Sequence, residues 1–96
     1  VDAVDTSWVP RPPLNVARGG LTSATLSNTP DRGRTYAIGG FTTGFDTELD
    51  SVEVLDPERG RWHPIAPMRT ARGNAAASVT RDGVFVFGGF ARGKPL

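Results

Sequence analysis

The side chains able to do chemistry are few and scattered along this chain. One histidine, His63, stands between Trp62 and Pro64, and no cysteine occurs. A zinc-type site needs three or four ligands in register, so His63 by itself implies none. Asp46, Glu48 and Asp50 are the densest group of carboxylates. Paired acids serve general acid–base catalysis or calcium binding, but this spacing lacks a full calcium-loop pattern, and a solvated loop is expected. Glycine pairs stand at Gly39-Gly40 and Gly88-Gly89, yet neither leads into Lys-Ser or Lys-Thr, so no phosphate cradle is indicated. No catalytic residue, metal or cofactor is therefore expected, and the chain reads as a non-enzyme. Binding chemistry is better supplied. Ten of the eleven basic residues are arginine, the side chain suited to bidentate carboxylate contacts and aromatic stacking.

Composition narrows the partners. The chain has 96 residues, 11 basic and 10 acidic, for a net charge of +1. That balance makes no field for nucleic acid or an anionic membrane, and neither partner is expected. No apolar run approaches the ~18 residues of a membrane span, and no signal-type segment opens the sequence. With no disulfide framework, a cytoplasmic location is the expectation.

The elements that must position these side chains are repeated. Trp8 and Trp62 each open a stretch ending in an arginine, Arg18 and Arg72, at an offset of 62−8 = 54. Small residues follow each arginine, then a strand-like run, then a glycine pair and a phenylalanine, Phe41 or Phe90. The glycine pairs are offset by 88−39 = 49, the difference falling in one loop. A period of ~50 residues made of short strands denotes a supersecondary unit that cannot bury its faces alone. Four strands per unit are predicted: Gly19–Leu26 with its copy Gly73–Thr80, Thr35–Gly39 with Val84–Gly88, Ser51–Leu55, and Arg61–Ile65. A helix over Ala71–Val79 competes for the alanine-rich copy. Gly73, Asn74 and the β-branched residues of the matching stretch argue for a strand. Asp82-Gly83 signals a hairpin, and Asp56-Pro57-Glu58-Arg59-Gly60 a turn. Val1–Asp5 aligns with Val52–Asp56, so the order of strands is three-four, one-two-three-four, one-two. The small-residue first strands suit the narrow centre of a radial arrangement of sheets.

These residues resemble the kelch repeat. The matches are Arg18, Tyr36, Gly39, Gly40, Asp56, Pro57 and Trp62 in one copy, and Arg72, Phe85, Gly88 and Gly89 with Trp8 in the other. Leu55 and Phe85 stand where the family often has tyrosine. The resemblance covers essentially the whole chain and implies an all-β fold of kelch-type β-propeller blades, each a four-stranded antiparallel meander. Two blades' worth are present. Residues 1–17 would be the third and fourth strands of one blade, 18–66 a full blade, and 67–96 the first and second strands of the next. Two blades close no ring, so further blades are expected, from a larger chain or from identical copies, three of which would give six blades. Galactose-oxidase-like enzymes resemble this fold but use tyrosines, histidines and a cysteine; here only Tyr36 and His63 occur.

In such blades the four-to-one and two-to-three connections share one face. Arg11, Met68, Arg69, Phe41, Phe45, Phe90 and Arg92 fall there, near Arg18 and Arg72, and arginine mixed with aromatics is typical of protein-binding hot spots. The resemblance implies a face that holds peptides or loops, acidic ones through arginines, as in a scaffold or the substrate-recognition part of a ubiquitin ligase. The expected function is a non-catalytic protein-interaction module with a protein or peptide partner. The alternatives are a structural building block, and part of an enzyme whose active site lies in other blades. Trp8, Trp62, Tyr36, Phe85 and the glycine pairs are expected to be structural.

Overall fold

A computed structural model describes residues 12–26, 34–42, 47–56 and 59–96. Every described element is a β-strand: β1 (Thr22–Leu26), β2 (Arg34–Ile38), β3 (Val52–Asp56), β4 (Arg61–Ile65), β5 (Ala76–Thr80), β6 (Gly83–Phe87), β7 (Phe90–Ala91) and β8 (Lys94–Pro95). The first four make one antiparallel sheet in sequential order, and β5–β6 and β7–β8 are hairpins. This is the expected all-β meander, and the competing helix over 71–79 is replaced by β5. The leading strands expected before Trp8 and around it, with Arg11, lie outside the described residues.

Strand limits differ from the sequence reading for backbone reasons. The first strands begin at Thr22 and Ala76, three residues later than expected. Gly20 and Asn74, at equivalent positions, take φ of 59° and 53°, a left-handed conformation that interrupts an extended run. Gly19 and Gly73 before them keep only isolated bridges, to Phe41 and Phe90. The second strands stop at Ile38 and Phe87 because Gly39 and Gly88 turn to φ of 62° and 63°. At Gly39 an added Cβ would also run into the Arg72 carbonyl. Only glycine meets both demands. In the β5–β6 hairpin the turn lies on Arg81-Asp82, one residue before the predicted pair, and Gly83 at φ 150° opens β6.

Register assigns the faces. Ala24 pairs with Tyr36, Tyr36 with Val54, and Val54 with His63, so these share one side of the sheet. Ile38 and Val52 lie on the same side one pleat along. Ala24, Ile38, Val52 and Val54 from this side are buried. The other side carries Ala37, Glu53, Leu55 and Trp62, and residues 12–18 run across it. There Trp62 Nε1 donates to Pro12 O at 3.0 Å, and Asn15 Nδ2 donates to Trp62 O at 2.9 Å. The small-residue strands β1 and β5 lie side by side and bring the two units together, as innermost strands of adjacent blades do. Trp62→Phe keeps an aromatic ring but loses the indole donor. It should cost about 0.5–1.5 kcal/mol, read as a shift in denaturant midpoint with unchanged slope.

Candidate functional site

The connection after β4 runs along the seam between the two units. Met68 N donates to Asp50 O at 2.8 Å and Arg72 N to Leu49 O at 3.1 Å. These two bonds clamp the ends of Arg69-Thr70-Ala71 against the β2–β3 connection and leave Arg69 and Thr70 exposed. The opposite wall comes from the β7–β8 hairpin. Its turn residues, Arg92 and Gly93, both have positive φ, 54° and 73°, as a two-residue primed turn requires. An arginine is uncommon in that conformation. The Arg92 N–H donates to Glu48 Oε1 at 2.7 Å, which ties the hairpin to the first unit.

Glu48, Arg69, Thr70, Ala71, Ala91 and Arg92 thus line one cleft of about 350 Å³. Its contributions come from both units. The Arg69 and Arg92 guanidinium groups have no internal acceptor among the described residues. The lining thus combines two arginines, one carboxylate already engaged by a backbone N–H, one hydroxyl and two alanines. Such a cleft suits an incoming carboxylate. Its size, near the lower end of ligand pockets, matches one or two side chains of a partner rather than a whole cofactor.

The structure sorts the remaining candidates by what each side chain touches. Arg18, expected near the binding face, is instead fully engaged inside the first unit. Its Nη1 donates to Gly39 O (3.1 Å) and Ser51 O (2.9 Å), and its Nη2 to Ser51 Oγ (2.6 Å) and Glu53 Oε2 (2.8 Å). Phe41 is buried, its ring against Gly20 and Gly73, where it closes the seam. Met68 is half-buried with its methyl against Gly39. Arg72 is half-buried and donates to Thr70 O and Gly88 O. Phe90 is exposed on β7, outside the cleft lining. Arg11, Phe45 and Asp46 lie outside the described residues.

His63 is exposed on the outermost strand β4, beside a second depression with Arg59, Arg61 and Asn15. Among the described residues no three His, Cys, Asp or Glu side chains converge as a metal site would require. The residues that sequence reasoning missed are Asn15 and Glu53. The signal for Glu53 was present, a charge inside the apolar run Val52-Glu53-Val54-Leu55. Asn15 had none.

Comparison with known proteins agrees with the all-β fold. The family model described as the kelch motif matches residues 19–69, just over half of the chain. Kelch-like protein 25 of Rattus norvegicus is 37% identical over 90 residues, covering 92% of this chain and 15% of that protein. The Homo sapiens protein of the same name is 36% identical over the same span. Kelch-like protein 23 of Homo sapiens is 35% identical over 99 residues, covering 93% of this chain and 16% of that protein. The chain therefore spans about 15% of the length of the curated relatives it matches.

Proposed function

This chain belongs to the kelch-motif family, and from that premise we propose that it receives an acidic peptide or loop in the Arg69–Arg92 cleft. The coarser statement, a protein-interaction module, follows from the family itself. The finer one is carried by a single observation: Arg69 and Arg92 line one cleft with Glu48 of the preceding unit, and neither guanidinium has an acceptor among the described residues, whereas Arg18 is wholly committed within its unit. The role is non-catalytic. The cleft offers two strong donors and a hydroxyl, Thr70, and its lining holds no histidine.

A fluorescein-labelled hexaglutamate peptide, followed by anisotropy, tests the reading. Each charge-assisted bond is worth roughly 1.5–3 kcal/mol, so Arg69→Ala and Arg92→Ala should each weaken binding about tenfold or more. Melting temperature should move by no more than a few degrees, because both side chains are exposed. Binding should fall with added salt. Unchanged affinity in both variants, or affinity and stability lost together, would remove the cleft from consideration.

A second reading makes the chain a building block of a larger ring, and one observation favours it. Among the described residues β6 pairs only with β5, whereas its counterpart β2 has partners on both edges. Further blades would then come from a longer protein or from identical copies. Native mass by light scattering separates these: a discrete trimer or other closed multiple indicates copies, and a monomer indicates blades supplied in the same chain.

A further inference from the structure

We propose that the outer edge of the first unit holds a phosphorylated peptide, its phosphate received by Arg59, Arg61 and His63. β4 is the last strand of the four-stranded sheet, so one of its edges has no strand beside it. The backbone there is nonetheless a poor template for a further strand. In an antiparallel pair the N–H and C=O of one residue point to the same side. Gly39 N donates to Ser51 O at 3.0 Å, so Ser51, Glu53 and Leu55 turn their backbone groups to β2, and Val52, Val54 and Asp56 turn theirs to β4. Ile65, His63 and Arg61 are the partners of those three, which leaves Trp62 and Pro64 facing outward. Trp62 O is taken by Asn15 Nδ2 at 2.9 Å, and Pro64 has no N–H to give. Strand addition is thereby blunted, and recognition at this edge falls to side chains.

Arg59, Arg61 and His63 line one depression of about 550 Å³ with Asn15, Trp62 and Pro64. Arg61 and His63 are two apart on β4 and share one side of it, and Arg59 comes from the turn just before. All three residues are exposed. Asp56 is the one acid among the described residues of this turn. It accepts from Arg59 N at 3.2 Å and stands 3.6 Å from Arg59 Nε, too far for a hydrogen bond. The Arg59 side chain is 72% exposed. The Arg61 and His63 side chains have no acceptor among the described residues. Two guanidinium forks and an imidazole N–H offer more donors than the two oxygens of a carboxylate can take, whereas a phosphate monoester brings three acceptor oxygens and up to two charges. A peptide is the carrier because the cations form one spot and not the stripe that nucleic acid requires. Two arginines are also too few to hold an anionic membrane surface, and a net charge of +1 adds no long-range field for either.

This site is separate from the Arg69–Arg92 cleft and needs no further blade, so it stands or falls apart from both readings above. The full chain is titrated into three fluorescein-labelled peptides of glycine and serine: one with a central phosphoserine, one with serine there, and one with glutamate. Anisotropy gives the affinities, and amide NMR shifts give the place. The phosphopeptide should bind at least about tenfold more tightly than either twin, with shifts confined to residues 59–64. Arg61→Gln should weaken that binding roughly tenfold, and Arg61→Lys should weaken it less, because it keeps the charge but not the fork. No phosphopeptide binding, equal binding of the three peptides, or an Arg61→Gln chain that binds as well as its parent overturns the proposal. Shifts at the Arg69–Arg92 seam instead, or displacement by an equimolar amount of hexaglutamate, also overturn it. An oligothymidylate or phosphatidylserine vesicles that bind more tightly and shift the same residues would remove the peptide as the occupant.

Discussion

Glu53→Ala is expected to cost about 3–5 kcal/mol, the range for removing one partner of a buried ion pair. Against a total of roughly 5–15 kcal/mol for a domain, that approaches global unfolding. The Arg18 and Glu53 side chains are 0% and 2% exposed. Glu53 Oε1 accepts from Asn15 N (2.8 Å) and Asn15 Nδ2 (2.9 Å); Oε2 accepts from Val16 N (3.2 Å) and Arg18 Nη2 (2.8 Å). Four donors converge on one carboxylate from a segment nearly 40 residues away in sequence. Without it, a guanidinium and two backbone N–H groups are left in a dry site. A matched apolar replacement of both partners, Arg18→Met with Glu53→Leu, should recover part of the loss, since it removes both charges together. Urea midpoints of the two single variants and the double variant measure this. A Glu53→Ala loss below about 1 kcal/mol would refute the network as a main support.

The same carboxylate sets an acid limb. Burial by itself raises the Glu53 pKa. The Asn15 and Val16 backbone N–H groups, the Asn15 amide and the Arg18 guanidinium outweigh it and hold the carboxyl below its ordinary value. A pKa lower in the folded than in the unfolded chain means that the unfolded chain binds the proton more readily. The Glu53 contribution is thus present above the ordinary glutamate value of about 4.3 and is lost as pH falls through the lowered folded value. Stability should be level with respect to this group from pH 5 upward and decline below about pH 4. Glu53→Gln should lack that component; an identical acid limb in both chains would assign it to other groups.

Phe41→Ala is the second large effect, at about 3–5 kcal/mol, and it should separate the two units rather than merely loosen one. Phe41 is 6% exposed. Its ring lies on Gly20 of its own unit and Gly73 of the next, where a Cβ on Gly73 would fall within the ring. Backbone bonds fasten the same place: Phe41 N to Gly19 O (2.7 Å), Gly40 N to Arg72 O (2.9 Å) and Asn74 N to Gly20 O (2.8 Å). Gly73→Ala should cost about 1–3 kcal/mol by overpacking, and much less in a Phe41→Ala background, because the ring it strikes is gone. That coupling in a double-mutant cycle is the decisive readout; additive losses would contradict the packing. Phe90 occupies the equivalent position but is 44% exposed, so Phe90→Ala should cost under about 1 kcal/mol.

Phe41 and Phe90 also show where sequence reasoning stops. They follow equivalent glycine pairs, and nothing in their neighbours along the chain distinguishes them. What separates them is that Gly73 of a following unit lies under the Phe41 ring. Arg18 and Arg72 repeat the lesson: identical local poses differ by whether a serine and a glutamate arrive from a third strand. The arginines reached by neither constraint, Arg69 and Arg92, are brought together only by the clamp on the seam and by a left-handed turn at residue 92.

Local chemistry was legible because its causes are local. The glycine pairs, the period of the two units, the fourth strand at Arg61–Ile65 and the all-β meander follow from backbone conformations and period-2 alternation written into consecutive residues. Alternation states which residues share a side of a sheet; it does not state which side is covered, or by what. Glu53 shows the difference most plainly. In sequence it is the polar member of an alternating strand, and only the crossing of residues 12–18 over that side turns it into a buried counter-charge. Burial, charge pairing and the convergence of Arg69 with Arg92 depend on segments distant in sequence, and so only the tertiary structure decided them.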